Sequence, residues 1–153
     1  MSTQIAPIPA GYEAAIPMLA LHNAAEAIEF YQKAFGATEL SRLNEADGKI
    51  AHAELQFGAA KIMLADEYPG DNASPQSLKG STVIIHLYVD DVDAVVAQAV
   101  TAGATLLSPV TDQFYGDRSG KVQDPFGHLW IIASHREDLS MDEIEQRFQA
   151  LMA

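Results

Sequence analysis

The chain has 153 residues, with 21 Asp and Glu against nine Lys and Arg, for a net charge of −12. It is 48 % apolar and contains no cysteine, so it can bury a single-domain core, and disulfides, a thiolate nucleophile and Cys-ligated metals are excluded. The acid excess argues against a nucleic-acid partner and modestly favours cationic ligands, and no apolar run is long enough to cross a membrane.

The opening "MSTQIAPIPAGYEAA" lacks the basic and apolar regions of a secretion signal, so a cytoplasmic location is expected. "AAIPMLAL" (Ala14–Leu21) is strand-like. "NAAEAIEFYQKAFGA" (Asn23–Ala37) reads as a helix with Ile28, Tyr31 and Phe35 on one face, capped by Asn23 and stopped by Gly36. In "KIAHAELQF" the two-residue alternation places Ala53, Leu55 and Phe57 under that helix. His52, Glu54 and Gln56 then occupy the opposite face. "DEYPGDNASPQSLKG" (Asp66–Gly80), rich in Gly, Pro, Ser and Asn, reads as a long exposed linker.

"STVIIHLYV" (Ser81–Val89) opens the second half, with Val83, Ile85, Leu87 and Val89 expected on the helix side and Ile84, His86 and Tyr88 on the other. "DDVDAVVAQAVTAGA" (Asp90–Ala104) is a second helix, with Asp90 as the expected cap, Val92, Val95, Val96 and Ala99 as the apolar face and Gly103 as the stop. "QFYGDRSG" gathers Tyr115, Asp117 and Arg118 in a loop, and "DPFGHLWIIASH" is a turn running into an apolar strand. There Trp130 and Ile132 are expected in the core, Leu129 and Ile131 on the other face, and His22, His128 and His135 at strand ends as surface or turn residues. The tail begins with a capping box, Ser140 with Glu143, and carries Ile144, Phe148 and Leu151 at helical spacing.

The two halves repeat. "GAT" begins at Gly36 and again at Gly103, an offset of 103 − 36 = 67 residues, and "DGKIAHAELQFGAAKIML" parallels "SGKVQDPFGHLWII". Each half reads strand, helix, three strands, which marks a duplicated module. The expected class is α+β: two βαβββ modules at about 14–66 and 81–135, a linker at 67–80 and a C-terminal helix at about 140–151, in one domain spanning 1–153.

This ordered set, with "FYQKAFGA", "VDDVDAV" and "YGDRSGKVQDPFGHLW", resembles the vicinal oxygen chelate superfamily of glyoxalases, bleomycin-resistance proteins and extradiol dioxygenases. The resemblance implies two curled mixed sheets forming a ligand cup, and a homodimer. It also implies that metal ligands, where present, come from the first and last strand of each module. Counting from the motifs puts those positions at Ile16, Met63, Ile84 and Ile131. Aliphatic side chains and a thioether cannot chelate a hard or borderline divalent cation, so neither a metal nor another cofactor is expected.

Candidate ligand-binding residues are therefore His52, Glu54, Met63, Ile84, His86, Tyr88, Tyr115, Arg118 and Ile131, with Met18 beside them. The expected function is binding of a small, partly apolar organic molecule, drug sequestration being one example. The alternative is a metal-independent lyase or isomerase. There a buried Glu54 with raised pKa, or His86, would transfer a proton and Arg118 would stabilise an enolate. A relocated metal site built from His52, Glu54 and His86 is a third reading of the same residues.

Overall fold

The computed structural model describes residues 4–153. Its first half runs β1 (Met18–Leu21), α1 (Ala24–Phe35), β2 (Thr38–Asn44), β3 (Ile50–Phe57) and β4 (Ala60–Asp66). A short α2 (Pro75–Leu78) follows. The second half runs β5 (Ile84–Tyr88), α3 (Val92–Ala102), β6 (Thr105–Asp112), β7 (Asp117–Gln123) and β8 (Leu129–His135), and α4 (Met141–Met152) ends the chain. Two four-stranded mixed sheets result, ordered β1-β4-β3-β2 and β5-β8-β7-β6. The first and last strand of each half pair in parallel, and the remaining pairs are antiparallel.

The helices form where their caps allow. Asn23 accepts the Glu26 N–H and Gly36 takes the left-handed conformation (φ 66°) that ends α1. In α3 the cap is Asp91, which accepts the Ala94 N–H at 3.1 Å, and not Asp90 as expected. The N–H that needs a partner lies three residues after the cap, which fixes Asp91.

The duplication recurs in hydrogen bonding. Buried Asp66, at the end of β4, accepts the Ala24 N–H at 3.0 Å; buried Ser134, near the end of β8, accepts the Val92 N–H at 3.0 Å. Both pairs are offset by 68 residues (92 − 24 and 134 − 66). The terminating glycines lie 67 apart because α3, with 11 residues, is one shorter than α1, with 12.

One core joins the halves. α1 packs on α3, and the Phe35 ring lies 4.6 Å from that of Trp130, with Tyr31 and Phe57 against the same indole. Burying aromatic side chains of this size contributes roughly 1.5–3 kcal/mol each. As expected, Ala53, Leu55, Phe57, Trp130 and Ile132 are buried, and Ile85, Leu87 and Val89 pack against the core. Val83 does not: it precedes β5 and is exposed.

The linker differs from the expected exposed loop. Ser74 is buried and caps α2, and Glu67 accepts hydrogen bonds from the Ser74 N–H at 2.5 Å and the Ser77 hydroxyl at 2.7 Å. These bonds hold the Glu67 carboxyl at about 2, well below its ordinary range. Gln76 then donates to the Pro125 carbonyl, tying α2 to the second half. The terminal helix has the expected Ser140–Glu143 capping box, yet buries none of its residues; Phe148 rests on Phe114, ring centres 5.4 Å apart.

Candidate functional site

Helices cover one face of each sheet, and the opposite faces carry most of the candidate residues. Strand pairing aligns them in rows. In the first sheet Met18, Met63, Glu54 and Ser41 are successive neighbours across β1, β4, β3 and β2. In the second, His86, Ile131, Lys121 and Ser108 are neighbours across β5, β8, β7 and β6. The row partners of Met63 and Ile131 on the first strands are thus Met18 and His86, and Ile84 lies opposite Leu129, two residues before His86 on the same face. Ile16 precedes β1 altogether.

The expected positions Ile16, Met63, Ile84 and Ile131, with the row neighbours Met18 and His86, hold one imidazole among aliphatic and thioether groups, a poor donor set for a divalent cation, whether hard or borderline. Among the described residues no three His, Asp or Glu side chains gather in a way that could hold a metal ion. The residues present do not fit the chelate that gives the superfamily its name.

His52 and Glu54 do meet, at 3.2 Å, while His86 is stacked on Tyr88 with ring centres 4.9 Å apart and is bonded to neither. The remaining partner of Glu54 is Tyr12, whose hydroxyl donates to it. That bond, then the one from His52, lowers the Glu54 pKa, opposite to the rise expected from burial. Glu54 is an ionised acceptor with both oxygens engaged. Tyr12 reaches it because the segment from Gly11 to Pro17 folds back toward β4, where the Lys61 ammonium donates to the Gly11 carbonyl at 2.5 Å and sits 4.6 Å from the Tyr12 ring centre.

A second polar chain runs along the other sheet. The Tyr88 hydroxyl donates to Asp117 at 2.6 Å, Asp117 contacts His135 Nδ1 at 2.8 Å, and His135 Nε2 contacts Asp138 at 2.8 Å. Burial pushes the Asp117 carboxyl up, but the bonds from Tyr88 and His135 outweigh it and hold it below its usual range. The same contact with Asp117, then that with Asp138, raises His135. Tyr115 lies close enough to Tyr88 to influence its ionisation and meets Phe114 edge to face at 5.1 Å.

Arg118 points the other way. Its guanidinium pairs with Asp93 on α3 through two bonds of 2.8 and 2.9 Å and with Asp112 at 3.1 Å, which raises its pKa and saturates its charge on the helix side. It is turned away from the face that carries Lys121 and Ile131.

Sequence reasoning passed over Tyr12, Lys61, Asp117 as a buried acceptor, and His135. His128 also departs from its expected surface role, being buried with Nε2 3.0 Å from the Ala20 carbonyl on β1. The partners of these residues lie up to 108 positions away, so no local pattern marked them.

The description "Glyoxalase/Bleomycin resistance protein/Dioxygenase superfamily" matches residues 16–132. "Uncharacterized protein Rv0887c" of Mycobacterium tuberculosis is 46% identical over 133 residues, covering 84% of this chain and 78% of that one. "Uncharacterized protein At5g48480" of Arabidopsis thaliana is 32% identical over 118 residues, covering 72% and 71%. The solved structure of that Arabidopsis product has a TM-score of 0.65, covering 80% of this chain and 98% of its own. Protein PA1353 from Pseudomonas aeruginosa has a TM-score of 0.64 at 26% identity, covering 80% and 98%. The fold and its paired sheets define a duplicated βαβββ protein of the chelate type. The chain belongs to the glyoxalase/bleomycin resistance protein/dioxygenase superfamily.

Proposed function

We propose that this protein binds a small, partly apolar organic molecule against the open faces of its sheets, without a divalent cation, as a cytoplasmic homodimer. The observation that carries the proposal is the pair of rows: where a chelate would need oxygen or imidazole donors, Met18, Met63 and Ile131 offer apolar surface beside His86. Exposed Leu40 and Leu43 on β2 and Leu106 and Leu107 on β6 give a second copy apolar surface to cover. Sequestering a drug is one form such binding can take, and the acidic surface favours a basic one.

The competing reading, a metal-independent lyase or isomerase, draws on the Tyr12–Glu54–His52 cluster. A carboxylate with lowered pKa is a weak base and, at neutral pH, no acid, so the cluster suits orientation of a ligand better than proton transfer.

Thermal unfolding against a panel of aromatic, neutral and cationic small molecules, with and without divalent metals, tests the proposal. A binder at a hundredfold excess over its Kd adds about 2.7 kcal/mol. Met63→Lys and Ile131→Lys should abolish that shift, and Glu54→Gln should reduce it. Turnover of a panel member, lost in Glu54→Gln with binding intact, would establish the enzymatic reading instead.

A further inference from the structure

Glu54, Lys61 and Met63 share the open face of the first sheet: Glu54 is paired with Met63, and Lys61 stands two residues before Met63 on the same side of β4. The segment from Gly11 to Pro17 reaches over that face before β1 begins, and it puts a phenol there. The Tyr12 hydroxyl donates to Glu54, and the ring centre lies 4.6 Å from the Lys61 ammonium, which donates to the Gly11 carbonyl. A cavity of about 420 Å³ is lined by Tyr12, Ala14 and Ala15 of the segment and by Ile62, Ile84 and His86 of β4 and β5. That volume is in the range of small-molecule pockets.

Little holds the segment down. From residue 4 to residue 17 no side chain is buried, and only Tyr12 and Ile16 are half-buried. Upstream of Pro17 the described residues bond to the sheet only through Tyr12 to Glu54 and Gly11 to Lys61. Exposed polar contacts of this kind are weak, so the segment can lift without disturbing the core. The place of the phenol itself is closely specified. Its acceptor is ionised, with the other oxygen taken by His52, and an ammonium stands beside its ring. Glu54 and Lys61 offset one another in charge. A carboxylate would be repelled by the first and an ammonium by the second, which leaves a neutral ring carrying a hydrogen-bond donor.

We propose that Tyr12 is a resident stand-in for the ligand, displaced by a neutral hydroxyaryl compound that donates its phenolic hydroxyl to Glu54 and sets its ring against Lys61 and Met63. The Gly11–Pro17 segment then lifts away. This rests on the open-face reading and names the ligand class for the first sheet. Tyr12 is tethered beside the site and competes at a high effective concentration. A free phenol therefore binds the native chain more weakly than a chain that lacks Tyr12.

NMR titration of the full chain with 4-methylphenol and with 4-methylanisole, which lacks the donor, tests this. Tyr12→Ala removes no buried side chain and should leave Tm unchanged. It should bind one 4-methylphenol per chain about tenfold more tightly than the native chain does, and 4-methylanisole about tenfold more weakly than the phenol. Tyr12→Phe, which keeps the ring and drops the bond to Glu54, should fall between native and Tyr12→Ala. Adding Glu54→Leu should erase the preference for the phenol. Equal affinity in native and Tyr12→Ala chains, equal binding of phenol and anisole, or no binding to Tyr12→Ala would overturn the assignment. Ile131→Lys lies on the other sheet and should leave 4-methylphenol in place. If no member of the thermal panel binds while 4-methylphenol fills Tyr12→Ala, the open-face reading fails alone. If panel members bind and Tyr12→Ala changes nothing, the inference about Tyr12 fails alone.

Discussion

Asp124 accepts hydrogen bonds from the Tyr31 hydroxyl, the Trp130 indole and the Phe126 and His128 backbone, all between 2.6 and 3.0 Å. It is the aspartate of the "DPFG" turn, buried beside the aromatic core, and those four donors compensate its desolvation. Asp124→Ala would strand them, and urea unfolding should show a loss of about 3–5 kcal/mol; a loss below about 1 kcal/mol would contradict the assignment. The Asp117–His135 pair has a pH window of its own. Asp117, lowered from 3.8, contributes stability that is present above that value and lost as pH falls through its folded pKa. His135, raised from 6.5, contributes stability that is full below that value and lost as pH rises through its folded pKa. NMR titration should place His135 above 6.5, and Asp138→Asn should bring it down; an unmoved midpoint would remove Asp138 as a cause. None of this could be read locally. His135 does end β8, as expected, but its partner lies across the β7–β8 register, 18 positions earlier.

At the scale of elements, the sequence carried the helices well. Their caps, glycine stops and apolar stripes are local features, and the capping box of α4 was visible for the same reason. The linker was misread because its Gly, Pro and Ser content conceals a short capped helix held by Glu67. With that carboxyl lowered from 4.5 to about 2, its hold is full above pH 4.5 and lost as pH falls toward 2. Hydrogen exchange at Ser74 and Ser77 should accelerate over that interval relative to the core strands, and Glu67→Gln should show the acceleration at neutral pH. Removing α4 should leave the core almost untouched, since none of its residues is buried. Truncation after Asp138 should change unfolding free energy by no more than about 1 kcal/mol; a collapse of the transition would show that α4 is integral to the core.

For the molecule as a whole, the duplicated architecture followed from a repeat and a set of turns, which are properties of sequence spacing. The site did not follow in the same way. Alternation correctly placed His52 and Glu54 on one face and Ile84, His86 and Tyr88 on another, yet it could not say how far apart those faces sit or what covers them. Nor could it pair the strands, because the register between β1 and β4, and between β5 and β8, joins segments more than 40 positions apart. The rows leave the chemical conclusion in place, since Ile16, Met63, Ile84 and Ile131 with the row neighbours Met18 and His86 hold a single imidazole between them. The most direct measurement is elemental analysis of the purified chain, followed by unfolding with nickel, zinc, manganese or iron(II) added in turn. The account predicts substoichiometric metal and no stabilisation by any of these ions. One equivalent of bound metal, released by chelator with a fall in Tm and lost in His86→Ala, would contradict it.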